Sequence, residues 1–491
     1  MDFGISAATY LVLIFTILYF LKQWNKKSIS NFPPGPKGLP LIGYLHVMNL
    51  ENPHVTYLEL AKKYGSVFSV PMGMKRTVVL AGYETVKDAL VNHAEDFGER
   101  ARIEIFKTMD KGMGLSFSHG DNWKVMRRFT IKTLRDYGMG KSTIEDKIVE
   151  ECGHLIQYVS SFKGQRIDDP MILNAGVGNI IVSILFGQRM DYNDPTFRKL
   201  ISLTDQNNKY LGSPMVSIYN IFPFLGFLPG THKIVSSNTD KLVEYATQTF
   251  TERLKDLDEN GQRGYIDAFL VKQKEDAENP KSYFHDDNLT RVVRNLLSAG
   301  TETTTNTLNW ALLLMAKHKD IQEKVQDEIY RVVGHAQPLY SHRGQMPYTN
   351  AVVHEIQRYS DIVPISVAHE TSRDVTFKGY FIPKGTCIVP LLSSVLRDKT
   401  QFERPDEFYP NHFLDAKGNF LKKDAFMPFS AGRRACAGET LARMELFMFF
   451  TTLLQKFTFR SPAGVSGVDM TPGMGYITTP KKLMICADAR Y

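Results

Sequence analysis

The ten residues from Phe429 to Gly438 restrict the fold of this 491-residue chain more than any other segment. Pro428 and Gly432 predict a tight loop, and from Gly438 onward the sequence ETLARMELFMFFTTLL predicts an amphipathic helix. Cys436 would then stand at a helix N-terminus, where free N–H groups and neighbouring arginines favour an anionic sulfur. Such a thiolate is a nucleophile or a metal ligand, whereas a lone cysteine in a loop is more often a buried, inert thiol.

The composition argues against several other classes of protein. Apolar residues form 43% of the chain, enough for a large core, and a charged fraction of 23% gives no sign of general disorder. Cys152, Cys387 and Cys486 are far apart and form no CxxC pair, so neither a disulfide framework nor a zinc site is predicted. The net charge of +7 suits an acidic partner or an anionic membrane surface, and no nucleic-acid partner is expected.

The N-terminal segment predicts a membrane anchor over residues 1–27. Residues 3–21 contain no charged side chain and approach the ~20 residues that a membrane-spanning helix requires. Lys22, Lys26 and Lys27 follow this span, which predicts that the rest of the chain lies on the cytoplasmic side. A cleaved signal peptide is the alternative, but it would need a basic start and a small-residue cleavage site.

Two further segments bear on the membrane. Residues 28–43 contain the stiff sequence PPGPKGLP, which predicts a proline-rich hinge before the main body of the chain, residues 44–491. The apolar stretch from Val216 to Leu228 is interrupted by Pro223 and is too short to span a membrane. Two interpretations of this stretch remain open: it is an ordinary part of the core, or it dips into the membrane surface.

The body is predicted to be mainly α with small β-sheets. Residues 65–82 alternate in polarity around a turn near Gly73 and predict a hairpin, and residues 375–390 predict further short strands. Helical periodicity extends over the stretches 84–95, 142–162, 237–256, 287–317, 319–333, 349–359 and 438–456. Because no internal repeat divides this body, we expect one domain after the anchor.

Three shorter patterns are informative only through their order along the chain. The sequence AGTETT from Ala299 to Thr304 sets an acid beside hydroxyls in a long helix, where the pair can pass protons to a pocket. Glu355 and Arg358 share a helix face at i,i+3 and can form an ion pair. Trp123 and Arg127, at i,i+4, offer N–H groups that suit carboxylate oxygens. Each pattern alone is typical of an ordinary buried helix or a solvated surface.

These patterns and the cysteine loop together resemble one family. F-x-x-G-x-R-x-C-x-G is similar at every fixed position to the haem-binding loop of the cytochrome P-450 family, and the order of hinge, W-x-x-x-R, A-G-x-E-T-T, E-x-x-R and cysteine loop is similar too. The chain most resembles the vertebrate microsomal family-2 type. The resemblance implies the cytochrome P-450 fold preceded by a single N-terminal transmembrane helix. It also implies attachment to the endoplasmic reticulum membrane, with the catalytic domain on the cytoplasmic side.

The resemblance further implies a cofactor and the residues that hold it. Haem b (iron protoporphyrin IX) would be ligated by the thiolate of Cys436, which pushes electron density onto the iron. By family position, the haem propionates would be bound by Arg100, Trp123, Arg127, His369 and Arg434. Thr303, assisted by Glu302, would steer protons to dioxygen. A structural network of Glu355, Arg358 and His412 would support the haem loop, although the family often has Arg where this chain has His412.

The implied activity is that of a haem-thiolate monooxygenase, which inserts one oxygen atom of dioxygen into a lipophilic foreign compound, fatty acid or steroid. Because the sequence shows no Rossmann fingerprint or flavin motif, electrons from NADPH are expected from a separate NADPH–cytochrome reductase, with cytochrome b5 as a second candidate donor. The expected docking surface is a basic run formed by Lys124, Arg128, Lys132, Arg135 and Lys141, with Arg443 added. Such runs are otherwise solvated helix faces.

Positions that match the family's substrate-contacting regions are mostly apolar, which favours a lipophilic substrate. These positions are Ile103, Phe106, Phe117, Ala299, Val363, Ile365, Val367 and Ile477. Two rival functions remain: a thiolate-haem isomerase or dehydratase that needs no dioxygen, and a non-catalytic protein that binds haem or lipid. The adjacent acid and hydroxyl of Glu302 and Thr303 favour the monooxygenase over both.

Overall fold

The structure is a computed structural model that describes residues 10, 12, 14–16, 30–167, 171–464 and 467–490. Within these ranges, no helix combines the length and the apolar character needed to cross a membrane. The predicted anchor, residues 1–27, lies outside the described residues apart from positions 10, 12 and 14–16.

Helices dominate the body, as predicted. The α-helices are α1 (Pro53–Tyr64), α2 (Tyr83–Lys87), α3 (Glu104–Asp110), α4 (Gly120–Asp136), α5 (Ser142–Ser161), α6 (Ile172–Phe186), α7 (Pro195–Leu211), α8 (Pro214–Ile221), α9 (Thr231–Arg253), α10 (Tyr265–Glu275), α11 (Asp286–Lys317), α12 (Lys319–Val333), α13 (Pro347–Ser360), α14 (Leu392–Leu396) and α15 (Glu439–Lys456). Each predicted helical stretch corresponds to a helix, although α9 begins earlier than predicted. Periodicity does not reveal α6, because its side chains are buried on every face.

The β-strands form three small sheets in the described part of the chain. They are β1 (Val67–Met72), β2 (Lys75–Leu80), β3 (Glu99–Arg100), β4 (His369–Glu370), β5 (Val375–Phe377), β6 (Tyr380–Ile382), β7 (Cys387–Pro390), β8 (Phe457–Arg460) and β9 (Cys486–Ala489). The largest sheet has the order β1-β2-β7-β4-β3, with β2 and β7 parallel and the other neighbours antiparallel. The predicted hairpin and the predicted strands in 375–390 are therefore confirmed.

Helix α11 forms the centre of the body and packs against α6, α13 and α15. Its ends carry the charges that a helix dipole favours, with Asp286 and Asp287 in the first turn and Lys317 in the last. The contact with α6 is close because position 300 has no side chain: a Cβ on Gly300 would lie 2.5 Å from Cδ1 of Ile181. The small residues in the middle of the helix thus permit the close approach that the sequence predicts.

The described part of the proline-rich hinge lies against strand β1. The backbone N–H of Ser69 donates to the carbonyl of Pro34 at 2.7 Å, and its Oγ donates to the carbonyl of Pro33 at 2.8 Å. Gly35 faces the same residue, and a Cβ there would meet the Ser69 carbonyl oxygen at 1.8 Å. Because prolines keep their carbonyl acceptors, this segment can bond to the edge of the sheet.

The stretch from Val216 to Leu228 is divided between core and surface. Val216, on α8, is buried, whereas Phe224 and Phe227 in the following 3-10 turn are each 72% exposed. An ordinary core position is therefore wrong for the second half of this stretch.

Candidate active site

The loop before α15 is a constrained turn that aims Cys436 into the interior. Gly432 has φ +71°, and a Cβ there would lie 1.8 Å from the carbonyl oxygen of Leu90, so only glycine fits. The backbone N–H of Cys436 donates to the carbonyl of Phe429 at 3.0 Å, which closes the loop. Backbone N–H groups of Gly438 and Glu439, at the start of α15, lower the pKa of the Cys436 thiol. The helix N-terminus predicted for this cysteine is confirmed.

Cys436 opens into a deep cavity between α11 and the loop. The exposed surface of Cys436 faces this internal space. Protein atoms nevertheless surround the thiol, and this burial is the largest cause of its pKa shift and raises the pKa overall. The same cavity is lined on the opposite side by Ala299, Gly300 and Thr303 of α11. A flat group seated between these walls would have a thiol on one face and small residues on the other.

One end of the cavity carries three arginines and an indole. Arg100, Trp123, Arg127 and Arg434 all line it. The guanidinium of Arg434 lies 3.7 Å from the centre of the Trp123 ring, and Nη2 of Arg127 donates to the carbonyl of Ala435 at 2.7 Å. Burial, together with the neighbouring arginines, lowers the pKa of Arg434 to about 9, and burial lowers that of Arg100 to about 10. One carboxylate faces these cations: Oε2 of Glu99 lies 3.7 Å from Nη2 of Arg434.

His369 orients one of these arginines instead of lining the cavity. Its Nδ1 lies 2.6 Å from the carbonyl of Phe97, which can only accept, so Nδ1 carries the proton. Nε2 then accepts from Nη1 of Arg100 at 2.8 Å. Burial and the charge of Arg100 lower the pKa of His369 well below its ordinary value, in agreement with a neutral ring.

The arginine cluster fits a bound dianion. Among the described residues, the buried atoms Nε of Arg100 and Nη1 of Arg434 have no hydrogen-bond partner. Leaving a buried donor unpaired costs about 1–3 kcal/mol, and more when the donor is charged. The two propionate carboxylates of a haem would supply acceptors for these donors while the thiol of Cys436 faces the ring. The residues present therefore fit the group that the sequence implies.

The comparisons with known proteins agree with this site. The sequence model of the cytochrome P-450 family matches residues 33–487. The chain belongs to the cytochrome P-450 family. It is 45% identical to cytochrome P-450 2K4 of Oncorhynchus mykiss, over 99% of this chain and 98% of that protein. It is 46% identical to cytochrome P-450 2K6 of Danio rerio, over 92% and 90%, and 45% identical to cytochrome P-450 2C14 of Oryctolagus cuniculus, over 94% and 95%.

Membership of the cytochrome P-450 family determines the general chemistry. The chain is a haem-thiolate monooxygenase of the family-2 group that acts on lipophilic compounds, namely foreign compounds, fatty acids or steroids. Its cofactor is a cysteine-ligated haem, its co-substrate is dioxygen, and a reductase delivers electrons from NADPH.

The predicted acid and hydroxyl pair, Glu302 and Thr303, is divided between two environments. Thr303 lines the haem cavity, and its Oγ1 donates to the carbonyl of Ala299 at 2.8 Å, so the hydroxyl sits at the helix groove. Glu302 is buried on the neighbouring face of α11, where its Oε1 accepts from Nδ2 of Asn174 at 3.4 Å. Burial, and secondarily the charge of Asp205, raises the pKa of Glu302 to about 8. Near neutral pH this carboxyl therefore keeps its proton.

The predicted network of Glu355, Arg358 and His412 is assembled and buried. Arg358 donates five hydrogen bonds: two at 2.7 Å to the carboxylate of Glu355, and three to the carbonyls of Leu396, Pro405 and Glu407. His412, at the position where arginine is common, contacts Oε2 of Glu355 through Nδ1 at 3.2 Å. Its Nε2 accepts from the backbone N–H of Arg404, so the proton on Nδ1 is donated to Glu355.

The eight predicted substrate positions are divided between the haem cavity, a neighbouring cavity and the packing around them. Ala299, Val363 and Val367 line the haem cavity. Ile103, Phe106 and Ile365 line a neighbouring cavity of about 700 Å³. Phe117 stacks on Phe106 with ring centres 3.7 Å apart. Ile477 is buried, and its backbone N–H bonds to Oδ1 of Asn208 at 2.9 Å.

Sequence reasoning missed a second buried acid beside the haem cavity. Glu445 lines the cavity from α15 and accepts from Oγ1 of Thr304 at 3.1 Å. Burial raises its pKa to about 8, so it too is protonated near neutral pH. The available signal was a single acid within the otherwise apolar run MELFMFF.

The predicted docking surface is largely exposed. Lys124, Arg128, Lys132, Arg135 and Lys141 are all exposed, on or just after α4. Lys124 also pairs with Asp121 at 2.9 Å. Arg443 is half-buried, held by Glu439 at 2.9 Å and by Nε2 of His354 at 3.1 Å, so it contributes less to this surface than expected.

Proposed function

We propose that Cys436 supplies the thiolate that ligates the haem, and that Arg100, Trp123, Arg127 and Arg434 bind its propionates, with His369 positioning Arg100. The observation that carries this proposal is the pair of buried, unpartnered N–H donors of Arg100 and Arg434 on the described wall of the cavity that Cys436 enters. When bound, the haem supplies the activation of dioxygen and the oxidation of the substrate. The chain supplies the sulfur, the cations and a cavity closed by apolar residues.

Thr303 and Glu302 are the proposed path for protons. The carboxyl of Glu302 retains a proton near pH 7 because burial raises its pKa, and the next residue places a hydroxyl in the haem cavity. Movement of the Glu302 carboxyl toward the Thr303 hydroxyl would bring a proton to the cavity wall. Glu355, Arg358 and His412 take no part in this path and act by supporting the cysteine loop.

The substrate site extends from Ala299, Val363 and Val367 into the neighbouring cavity lined by Ile103, Phe106 and Ile365. Phe117 supports this wall through its stacking on Phe106, and Ile477 contributes from the segment that follows Tyr476. We propose that the reductase docks on the exposed basic face of α4, and that cytochrome b5 shares this surface, because both donors need a short path to Cys436.

Residues 1–27 are proposed as the single transmembrane anchor, residues 28–43 as the hinge and residues 44–491 as the catalytic domain on the cytoplasmic side of the endoplasmic reticulum membrane. Exposed apolar side chains support a lipid-facing surface. Phe224, Phe227 and Met74 are each 72% exposed. The turn at Gly73 lies close to the segments that carry Ile221 and Leu41, because a Cβ on Gly73 would lie 2.4 Å from Ile221 and 3.5 Å from the Leu41 carbonyl. The second half of the 216–228 stretch would thus rest in the membrane surface.

The test of haem ligation is spectroscopic. Reduced protein with carbon monoxide should show the red-shifted Soret band of a thiolate ligand. Cys436→Ser should abolish that band, and the control Cys387→Ser, a thiol in β7, should retain it. Haem binding without the thiolate band in the unaltered protein would contradict the assignment of Cys436.

The proton path has its own test. Thr303→Ala should lower the product formed per NADPH and raise the release of hydrogen peroxide, whereas Thr303→Ser keeps a hydroxyl and should preserve coupling. Equal coupling in the alanine variant would remove Thr303 from the path.

The membrane assignment is tested with vesicles. Deleting residues 1–27 should weaken binding to phosphatidylcholine vesicles while the thiolate band remains. Replacing both Phe224 and Phe227 with Ser in the shortened chain should reduce the remaining binding further, and unchanged binding would contradict the lipid-facing surface.

A further inference from the structure

A second cavity, of about 600 Å³, lies on the side of α11 that faces away from the haem. It is enclosed by α6, α7, α11 and the segment 473–484. Its polar lining includes Asn174, Asp205, Asn306 and Asn309. Thr303 and Thr307 line the haem cavity instead. Helix α11 is therefore the wall between the two cavities, with amides on one face and hydroxyls on the other.

Glu302 lies within this wall. Its Oε1 accepts from Nδ2 of Asn174, at 3.4 Å, and its carbonyl accepts from Nδ2 of Asn306, at 2.8 Å. Both asparagines line the second cavity, whereas the neighbouring Thr303 lines the haem cavity. Its buried Oε2 has no partner among the residues that the structure describes. The carboxyl thus lies between residues of the two linings and keeps one oxygen available.

Water can fill this cavity. Asn309 lines it and is 8% exposed, and its Oδ1 is a hydrogen-bond acceptor without a partner within the described chain. Asp205 adds a carboxylate from α7. Water donates to such acceptors and fills a polar space of this size. Cations line the cavity as well, namely Arg166, Lys209, Lys481 and Lys482, and water can accept from them.

Asp205 is coupled to Glu302. The charge of Asp205 is the second cause, after burial, of the raised pKa of Glu302. Burial also raises the pKa of Asp205, while Lys209 on the same helix lowers it. The groups on this side of Glu302 are the neutral Asn174 from α6 and Asn306 from α11, Asp205 with Lys209 from α7, and Arg166, Lys481 and Lys482 of the cavity lining. Of these, Asp205 is the carboxyl that can take up and release a proton.

We propose that this second cavity is the entrance by which protons from solvent reach Glu302, and that Asp205 is its outer carboxyl. The proposal rests on the role proposed above for Glu302 and Thr303. Each oxygenation consumes two protons and two electrons, and one oxygen atom of dioxygen leaves as water. The reductase supplies the electrons. Each proton that Glu302 releases toward Thr303 is replaced from Asp205 through cavity water, and Asp205 is reprotonated by solvent, so both carboxyls return to their starting state.

The first test reads Glu302 itself and does not depend on turnover. The infrared carbonyl band of protonated Glu302 in the haem-loaded protein is assigned by its loss in Glu302→Gln. In the unaltered chain this band should disappear with a midpoint near pH 8. In Asp205→Asn the midpoint should move to lower pH, because one negative neighbour has been removed. An unchanged midpoint would overturn the coupling.

The second test reads proton supply during turnover with 7-ethoxycoumarin, a lipophilic aryl ether, as the probe. Asp205→Asn should lower the product formed per NADPH by roughly tenfold, less than the roughly 100-fold typical of losing a general acid, because water still enters the cavity. Hydrogen peroxide released per NADPH should rise accordingly. Asp205→Glu should restore coupling. The control Glu278→Gln makes the same charge change at an exposed position and should leave coupling unchanged.

The variants separate the two proposals. All of them must retain the thiolate band with carbon monoxide, which shows that the haem site is intact. If Glu302→Gln uncouples turnover and Asp205→Asn does not, the entrance proposal is wrong and the role of Glu302 stands. If Glu302→Gln has no effect on coupling, the proposed proton path fails and the entrance proposal fails with it.

Discussion

Two groups of buried side chains, Arg358 with Glu355 and Arg100 with Arg434, differ in how completely their arginines are paired. Arg358 uses its five N–H donors within the chain, bonded to Glu355 and to three backbone carbonyls. Arg100 and Arg434 are equally buried, yet each keeps an N–H without a partner among the described residues. The first group has its donors filled, whereas the second, beside its contact with Glu99, keeps donors that a bound anion can fill.

This difference separates folding from cofactor binding. A buried cation with all its donors paired resists removal, because loss of either partner leaves an uncompensated charge. Unpaired cations crowd one another, which is why neighbouring arginines add to burial in lowering the pKa of Arg434 to about 9. The repulsion between these arginines destabilises the apoprotein, and bound carboxylates would relieve it. The site is thus preorganised for an anionic ligand at the expense of local stability.

The largest expected effect is at the paired group. Arg358→Met should destabilise the chain by about 3–5 kcal/mol, since it leaves the buried carboxylate of Glu355 without its cation. The free energy of unfolding from urea titration of the apoprotein measures this. The control Arg404→Gln, in an exposed pair with Glu407 at 3.6 Å, should cost less than about 1 kcal/mol. Equal costs for the two variants would contradict the assignment of Arg358 to the fold.

A substitution in the unpaired group should weaken haem binding more than it lowers the stability of the apoprotein. Arg434→Met removes a charge-assisted bond worth about 1.5–3 kcal/mol to the haem, or roughly a 10- to 150-fold loss of affinity. The apoprotein should lose no more than about 1 kcal/mol, because relief of crowding offsets the lost bonds to Gly98 and Ser118. Transfer of haem to apomyoglobin measures the affinity. If the apoprotein loses as much stability as in Arg358→Met while its haem affinity is kept, Arg434 serves folding and not cofactor binding.

The sequence predicts the pairs that lie within one element but not those that join distant segments. Local patterns reveal Glu355 with Arg358, Trp123 with Arg127 and the cysteine loop, because each lies within one helix or turn. His369 and Arg100 meet through strands β3 and β4, which are far apart in sequence. No periodicity encodes that contact, nor the fact that His369 supports Arg100 and does not face the cavity.

The surroundings of Glu302 could not be predicted from the sequence for the same reason. Glu302 stands next to Thr303 in the sequence, yet a helix turns by about 100° per residue, so adjacent side chains face different surroundings. Only packing reveals that α6 and α7 bring Asn174 and Asp205 to the Glu302 side. Helix α6, buried on all faces, likewise shows no amphipathic pattern. Helices and strands with a clear period were thus predictable from the sequence, whereas α6 and the partners across helices were not.

A smaller effect sharpens the comparison within the paired group. His412→Ala removes one hydrogen bond to Glu355, which keeps both bonds from Arg358, so the cost should be about 1–2 kcal/mol. Urea titration compares it with Arg358→Met. His412→Asn can still donate to the carboxylate and should recover part of the loss. A cost as large as that of Arg358→Met would mean that His412, and not the arginine, holds the carboxylate in place.

The smallest effect is a pH dependence that belongs to the unpaired group. His369 stays neutral in the folded chain because burial and Arg100 lower its pKa, whereas the unfolded chain binds a proton near pH 6.5. The unfolded state therefore gains protons first, and stability is lost as pH falls below that value. Between pH 7 and pH 6 one such histidine costs at most about 0.7 kcal/mol. His369→Gln should remove this part of the slope in the apoprotein. Bound propionates offset the charge of Arg100 and raise the pKa of His369, so the haem-loaded protein should lose less stability over the same range. An identical slope with and without haem would show that the arginine cluster does not sense the cofactor.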